Sequence, residues 1–534
     1  MKLHHMLKGA CAVVALSAPM LLVSAAPASA ESVLRVVKHS SLRVLDPIMT
    51  TAYMSRNHGY MIYDTLFALN EKQEITPQMA EGYTVSADGL TYTITLRDGL
   101  KFHDGAPVKA EDAVASLERW GKRDGMGQKL MDFVKEMKAT SDKSFDIVLK
   151  EPYGLVLASL SKPSSNVPFI VPKKLAETPP SEPMPEQIGS GPFQWVAAQF
   201  QPGVKAVYSK FGDYKPRSEP ASWAAGGKVA KVDRVEWVTM PDHMTAANAL
   251  LGGEIDYIEN PPTDLLPLLE ADSGIELRTI NELGSMVMLR PNHLHPPFNN
   301  EKVLQAMAYA INQKDVMVGM MGDNEKYYKL CKAQFVCGTP YGVETGAEGM
   351  MQGDIAKAKT LLQEAGYDGT PVMIMHPTDV ATLSSHPPIV AQAMRQAGFK
   401  VDLVAMDWQT LVGRRAKQDP VAQGGWNVFI TTWVGPDLMN PVANLGVNGR
   451  GKQGGWFGWY ENAEMEKLRD AFARETDEAK QKALVDEMSK LSWKTIPNLP
   501  LGQFFTVSAW RKGVVQGVLD GPAPFFWNIS KTKG

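Results

Sequence analysis

The residues best suited to chemistry lie in an aromatic and acidic stretch, residues 426–459. Trp433 ends an apolar β-branched run and is followed by Gly435, Pro436 and then Asp437. Indole surface supplies contact area to a small ligand, and a lone carboxylate fixes a cationic group. This pattern predicts the floor of a ligand cleft. The alternative is a buried strand that ends in an Asx turn, with its tryptophans in the core.

A second aromatic group follows the acid. Trp456, Phe457 and Trp459 stand among glycines, which suits a mobile loop that places aromatic rings over a bound ligand. Packing of these rings in the core is the alternative.

Motifs of enzymes are weak or missing. Residues 449–454 fit GxGxxG, but no strand signal precedes them and no helix signal follows. GxSxG, HExxH and Walker patterns do not occur in the sequence. We therefore predict no catalysis, no cofactor and no metal site. A secreted hydrolase acting on peptide-like or sugar-type substrates is kept as the alternative function.

The first 30 residues have the pattern of a secretory signal peptide. Lys2 and Lys8 precede an apolar run, residues 9–23, and Ala28-Ser29-Ala30 supplies a cleavage site. Cleavage leaves 504 of the 534 residues, enough for two or three domains of roughly 150 residues. The net charge falls from −3 to −5 with the two lysines, so nothing indicates nucleic-acid binding. No later run of about 18 apolar residues predicts a membrane span.

Two cysteines, Cys331 and Cys337, remain after the predicted cleavage. In an exported protein a close pair predicts a disulfide, and closing so short a loop contributes roughly 2 kcal/mol. A metal-binding pair is the alternative, but no further Cys or His ligand stands nearby.

Strand and helix signals alternate in the second half of the chain. Asn299 or Asn300 and then Asp354 are suited to cap two helices. Strands are predicted at 372–375, 400–405 and 428–432, and helices at 389–396, 409–417, 463–474 and 478–493. Such alternation predicts a parallel-rich sheet with helices on both faces.

The most specific stretch is residues 96–117. It joins two Asp-Gly turns to a helix that opens near Ala110, with Glu111 and Asp112 in the first turn. This stretch resembles the signature of the bacterial extracellular solute-binding proteins of family 5, the dipeptide- and oligopeptide-binding proteins of ABC importers. Ala113 replaces the usual valine.

Further matches follow in the order of that family, and the resemblance extends from Leu34 to about Trp510. They lie at residues 188–193, 246–256, 297–306 and 356–366. In the third of them Lys302 and Leu304 replace two arginines of the family pattern.

The resemblance implies an α/β chain with the two-lobed periplasmic binding protein fold of type II and an extra inserted domain. Lobe I would comprise residues 31–58, 188–281 and 504–534, the inserted domain residues 59–187, and lobe II residues 282–503. Two hinge strands would join the lobes near Gly284 and Gly502, because glycine absorbs backbone rotation. Ordinary turns are the alternative at both glycines.

The resemblance also implies a periplasmic protein that captures a peptide or peptide-like solute in the interlobe cleft. It would act as a monomer, deliver the solute to an ABC permease in the inner membrane, and bind no nucleic acid. Asp437 matches the aspartate that pairs with a peptide's α-ammonium group, if one residue is inserted after Trp433. The expected ligand contacts are Asp437, Trp433, Gly435, Trp456, Thr50, Thr51 and Gln503.

The sequence departs from the family at the far end of the ligand. Family members hold the peptide's carboxylate with an arginine, and no arginine stands at the matching places. Arg414 and Arg415 lie on a predicted helix that need not face the cleft. A longer peptide, an opine, or a cationic or sugar-type ligand therefore stays open beside a dipeptide.

Overall fold

The computed structural model describes residues 31–532, so the predicted signal peptide lies outside the described residues. Three sheets of seven, six and four strands organise this part of the chain. We name them, with the helices that cover them, lobe I, lobe II and the inserted domain. None of the helices that the structure describes is both long and apolar enough to cross a bilayer.

The lobe I sheet joins segments from both ends of the chain. Val33–Val37 runs parallel to both of its neighbours, and the remaining pairs are antiparallel. Its helices include Tyr53–Ile62, His243–Leu251 and Leu266–Glu270. In spatial order the strands are Phe193–Trp195, Lys205–Lys210, Arg234–Val238, Val33–Val37, Tyr257–Ile258, Ser508–Arg511 and Ile275–Arg278.

The lobe II sheet is mixed. The three strands predicted from the alternation, Val372–Pro377, Val401–Met406 and Val428–Val434, pair in parallel as predicted. The other three pairings are antiparallel, so the sheet as a whole is not rich in parallel pairs. The chain enters this lobe on Ser285–Pro291 and leaves it on the adjacent strand Leu499–Phe504, so these two run in opposite directions. In spatial order the strands are Tyr328–Lys329, Leu499–Phe504, Ser285–Pro291, Val428–Val434, Val372–Pro377 and Val401–Met406.

The helices of lobe II begin where the sequence places caps. The Asn300 side chain accepts a hydrogen bond from Lys302 N–H, and Asp354 accepts one from Lys357 N–H. A four-residue helix, Gly435–Leu438, replaces the predicted turn that carries Asp437. The other helices are Glu301–Ala310, Gln313–Met321, Ile355–Glu364, Ala381–Ser384, His386–Ala397, Trp408–Arg414, Ala463–Arg474 and Glu478–Thr495.

The inserted domain is an antiparallel sheet covered by helices. Its core contains Ile94, Leu117, Trp120 and Phe145. Its strands, in spatial order, are Ala80–Val85, Thr91–Leu96, Ser144–Leu149 and Val134–Ala139, and its helices are Ala110–Gly121, Gly125–Phe133, Val156–Leu160 and Lys173–Ala176. Short two-stranded pairs join Asp64–Thr65 to Phe169–Ile170, Phe67–Leu69 to Ile75–Pro77, and Val515–Gln516 to Ser530–Lys531.

Ion pairs tie the inserted domain to lobe II. Lys129 contacts both Glu466 and Asp470 of the Ala463–Arg474 helix. Arg450 pairs with Asp132, and Arg474 pairs with Glu151 at 2.8 Å. The same hydrophobic cluster that fills the inserted domain continues into Val442, Met465 and Phe472 of lobe II.

Gly284 and Gly502 lie where the chain passes between the lobes. Their φ angles are +61° and +128°, which L side chains rarely adopt. A Cβ at Gly284 would stand 2.6 Å from the Phe504 carbonyl oxygen, and one at Gly502 would stand 2.4 Å from Met317 Sδ. Both positions therefore require glycine. Their hinge role and the predicted domain boundaries stay predictions.

Candidate ligand-binding site

A cavity of about 100 Å³ lies between the two lobes. The lobe I wall includes His39, Thr51, Tyr53, Arg56 and Glu259, and the lobe II wall includes Ser285, Trp408, Arg415, Thr431 and Trp433. An adjoining cavity of about 310 Å³ shares His39, Asn260, Val380 and Thr382 with the first. Ligand sites usually measure roughly 300–1,000 Å³. A dipeptide-sized solute must therefore extend into the second cavity or hold the lobes slightly apart.

Asp437 lies beside this cavity as a buried carboxylate without a charged partner. Its side chain is held by hydroxyl groups from outside lobe II: Oδ2 accepts from Tyr53 at 2.7 Å and from Ser164 at 3.0 Å, and Oδ1 accepts from Ser165 at 2.9 Å. The residue is 4% exposed. Among residues 31–532, no Lys, Arg or His nitrogen lies within 4.0 Å of this carboxylate.

Tyr53 connects Asp437 to the cavity wall. Its phenolic oxygen also accepts a hydrogen bond from Val434 N–H at 2.7 Å. Burial raises the pKa of Tyr53 well above its usual value, and the Asp437 charge raises it further. Tyr53 therefore stays a neutral donor to Asp437 at physiological pH.

Arg415 is a buried cation that faces the cavity. The residue is 2% exposed, and its Nη2 donates to Thr51 Oγ1 across the lobes at 3.2 Å. Its Nε has no hydrogen-bond partner. No carboxylate oxygen of the described chain lies within 4.0 Å of the guanidinium. Burial lowers the pKa of Arg415 to about 9, so the side chain remains charged at neutral pH.

Aromatic rings surround the Arg415 guanidinium. Its central carbon lies 4.9 Å from the Phe457 ring centroid and 5.7 Å from those of Trp408 and Trp456. Such contacts stabilise a buried cation partly, by about 1–2 kcal/mol each, but they do not replace a counter-ion. The site therefore offers a preformed position for an acid group.

Sequence reasoning left Arg415 unassigned, although a signal was present. Trp408, Leu411 and Arg415 follow the i, i+3, i+7 spacing of one helix face. Trp408 and Leu411 are both buried. Because Arg415 shares their face, it points inward, whereas Arg414 points to the Gly424 and Gly425 carbonyl oxygens.

The predicted aromatic contacts divide into two layers. Trp433 lines the cavity. Trp456 packs behind it, with ring centroids 4.6 Å apart, and is 6% exposed. Arg290 Nε donates to the Phe457 carbonyl oxygen at 2.7 Å and so anchors the loop that carries Trp456 and Phe457. The aromatic rings of this loop are thus packed into the wall behind the cavity rather than spread over its mouth.

The remaining predicted contacts separate in the same way. Thr51 lines the cavity, whereas Thr50, Gly435 and Gln503 lie beside it. The Thr50 carbonyl accepts from Asn166, Gly435 N–H donates to the Gly284 carbonyl, and Gln503 Nε2 donates to the Leu283 carbonyl. These residues support the junction of the lobes.

Glu259 is a cavity-lining acid that sequence reasoning missed. Its carboxylate lies 2.9 Å from Lys38 Nζ and 2.7 Å from His39 Nδ1. Burial raises the pKa of Glu259, but the charges of His39 and Lys38 outweigh burial and hold it well below its usual range. Glu259 is therefore an ionised group that the protein already neutralises.

The predicted disulfide between Cys331 and Cys337 is confirmed, with Cα atoms 5.9 Å apart. Glu344 Oε1 lies 3.7 Å from Cys337 Sγ, but both sulfur atoms are engaged in the bond to each other. Cys331 packs in the same hydrophobic cluster as Trp433 and Trp456. The disulfide thus belongs to the same packed cluster as the aromatic wall.

Comparison with known proteins places the chain in a family. The sequence model described as "Bacterial extracellular solute-binding proteins, family 5 Middle" matches residues 74–455. A protein of Sinorhizobium fredii, named a probable peptide ABC transporter periplasmic-binding protein, is 38% identical over 98% of both chains. The glutathione-binding protein of Salmonella typhi is 27% identical over 92% of this chain and 93% of its own.

Solved structures share the fold. A periplasmic binding protein from Helicobacter pylori, solved with the peptide STSA, superposes with a TM-score of 0.77 at 22% identity and covers 94% of this chain and 98% of its own. A binding protein from Agrobacterium tumefaciens R10, solved with mannopinic acid, gives a TM-score of 0.78 at 22% identity and covers 94% and 100%. The two-lobed fold is therefore the one implied by the sequence.

Proposed function

Because the chain belongs to the bacterial extracellular solute-binding proteins of family 5, we propose that it captures a peptide or peptide-like solute and delivers it to an ABC permease. The observation that carries this proposal is a pair of buried, opposite charges beside one interlobe cavity. Asp437 and Arg415 both come from lobe II, and neither has a charged partner among the described residues. A solute with an ammonium group and an acid group would neutralise both.

Asp437 is suited to the ammonium end. An ionised carboxylate offers about four acceptor sites, and the hydroxyl groups of Tyr53, Ser164 and Ser165 use three of them. An arriving ammonium would complete the set and would add the missing charge. Charge-assisted hydrogen bonds of this kind are roughly twice as strong as neutral ones.

Arg415 is suited to the acid end. Its planar guanidinium can hold a carboxylate with two parallel hydrogen bonds. The Trp408 and Trp433 rings line the space on the lobe II side and supply apolar contact to the solute between the charges.

Closure of the lobes would couple to binding. The Tyr53–Asp437 and Thr51–Arg415 hydrogen bonds both cross from lobe I to lobe II. A solute that contacts both walls favours the closed form by its differential affinity for that form. The closed form would then dock on the permease of an inner membrane.

We place the protein in the periplasm as a single-chain binding protein without catalysis. Its family and the relatives named above are solute-binding proteins, and nothing in them supports the hydrolase alternative.

The test is binding of zwitterionic peptides to the purified protein by calorimetry, followed by mass spectrometry of the recovered peptide. We expect intact peptide and a 1:1 complex. Asp437→Ala should weaken binding by roughly 30-fold or more, since it leaves the ammonium buried without a counter-charge. Unchanged affinity of this variant would remove Asp437 from the site, and cleaved peptide would favour the hydrolase.

A further inference from the structure

A second guanidinium stands on the opposite wall of the same cavity. Arg56 belongs to the Tyr53–Ile62 helix of lobe I, lines the cavity and is 3% exposed. Its central carbon lies 4.1 Å from the Tyr53 ring centroid. The two arginines are held close to the same short segment, because Thr51 contacts Arg415 and Tyr53 stacks on Arg56.

The protein partners of Arg56 are neutral. Nη1 donates to Ser164 Oγ at 2.6 Å, and Nε and Nη2 donate to Asn57 Oδ1 at 3.1 and 2.9 Å. The same Ser164 hydroxyl donates to Asp437 Oδ2 at 3.0 Å, so one hydroxyl separates the two opposite charges. Within the described range no carboxylate oxygen lies within 4.0 Å of this guanidinium. Of its five N–H groups, one on each terminal nitrogen remains for another acceptor.

The charges around the cavity do not balance. Glu259 already has Lys38 as its counter-ion, at 2.9 Å. Asp437 then remains as one carboxylate without a charged partner, while Arg56 and Arg415 remain as two cations without one. A simple zwitterion has no net charge and would leave this excess of one positive charge, from Arg56 and Arg415 against Asp437, in the closed site. Such a charge is costly in a site that excludes water.

We propose, on the basis of the proposed function, that the preferred solute carries one ammonium and two acid groups, and that Arg56 binds the second acid. The two remaining N–H groups of Arg56 can grip a carboxylate, while Asn57 and Ser164 hold the guanidinium in place. The solute class is thus an acidic amino-acid conjugate or peptide with a net charge of −1. The second acid distinguishes it from neutral dipeptides.

The experiment compares pairs of peptides that differ only in the second acid: Ala-Glu with Ala-Gln, and glutathione (γ-Glu-Cys-Gly) with its C-terminal amide, γ-Glu-Cys-glycinamide. Affinities are measured by calorimetry on the full mature chain. In the wild type we expect the diacid of at least one pair to bind about 30-fold more tightly than the amide. Arg56→Gln should abolish this preference, so that the variant binds the diacid and the amide with equal affinity, whereas Arg56→Lys should retain part of it.

Three other outcomes would overturn the inference. Equal binding of diacid and amide by the wild type refutes it without any variant, while the proposed function stands. If the Arg56→Gln variant still binds the diacid more tightly than the amide, a group other than Arg56 binds the second acid. Failure of every peptide to bind the folded wild type removes the proposed function and this inference together.

Discussion

The phenolic oxygen of Tyr53 lies 2.7 Å from Asp437 Oδ2 and 2.7 Å from the backbone nitrogen of Val434. One hydroxyl from the first helix of lobe I thereby satisfies two groups of lobe II. The structure thus contains a contact between the lobes that depends on a single side chain and lies directly beside the ligand cavity.

Tyr53→Phe tests this contact. The change leaves Val434 N–H without a partner and removes one of the two donors to Asp437 Oδ2, so we expect the closed form to lose about 1–3 kcal/mol. Peptide affinity should fall by roughly tenfold, and small-angle scattering should show a larger radius of gyration. Tyr83→Phe is the control, because Tyr83 is exposed on the inserted domain. Equal affinity for the Tyr53 variant and the wild type would show that the hydroxyl does not hold the lobes together.

Arg415→Gln should lower peptide affinity by roughly 30- to 1,000-fold, because the solute carboxylate would be buried without its cation. The neighbouring Arg414→Gln is the matched control, since Arg414 binds backbone carbonyl oxygens away from the cavity. Calorimetry with a peptide and with the same peptide amidated at its C-terminus shows which end of the peptide Arg415 binds. The amidated peptide should lose little from Arg415→Gln. A similar loss for both peptides would contradict the carboxylate assignment.

The paired change Cys331→Ser and Cys337→Ser should reduce the free energy of unfolding by about 2 kcal/mol, the loop-closure value for so short a loop. Neither cysteine lines the ligand cavity, so peptide affinity should stay within about threefold. Urea unfolding with and without reductant measures the first effect. If reductant did not destabilise the wild type, the bridge would have no stabilising role.

The free energy of unfolding at acid pH should depend on the ionisation of Glu466. Burial raises its pKa, but Arg469, Lys129 and the hydrogen bond from Gly449 N–H outweigh burial and lower the pKa to about 2 from its usual value of 4.5. A carboxylate whose pKa is lower in the folded than in the unfolded chain stabilises the fold at pH values above its unfolded-state pKa. That stability is lost as pH falls from about 4.5 to about 2.

Urea unfolding at several pH values checks this expectation. The free energy of unfolding of the wild type should fall across that window more steeply than that of Glu466→Gln. Glu464→Gln serves as control, because its side chain is 60% exposed on the same helix. Parallel pH profiles for the wild type and Glu466→Gln would exclude a coupling of this group to folding.

Local patterns in the sequence predicted much of the fold because they report local physics. The caps at Asn300 and Asp354 and the helix Ala463–Arg474 follow from side-chain type and periodicity alone. The pairing of strands from distant parts of the chain does not follow from such local patterns. The antiparallel pairing of Ser285–Pro291 with Leu499–Phe504 joins segments far apart in sequence, and periodicity carries no information about that pairing.

The residues of the candidate site also divide into those that the sequence predicted and those that it did not. Trp433 and Thr51 were predicted and line the cavity. Arg56 and Glu259 were not predicted, because nothing in a single sequence marks a charged residue as buried or shows which group will neutralise it. Whether Asp437 meets a ligand stays a prediction, since its hydroxyl partners come from segments that only the folded chain brings together.

The lobe I sheet has a consequence for the order of events during synthesis. Val33–Val37 and Ser508–Arg511 are separated in that sheet by a single two-residue strand, yet they lie at opposite ends of the chain. The sheet cannot be completed until the ribosome has made almost the whole polypeptide. Pairings between such distant segments form slowly. A product truncated before Ser508–Arg511 would therefore lack a finished lobe I core and be exposed to proteolysis.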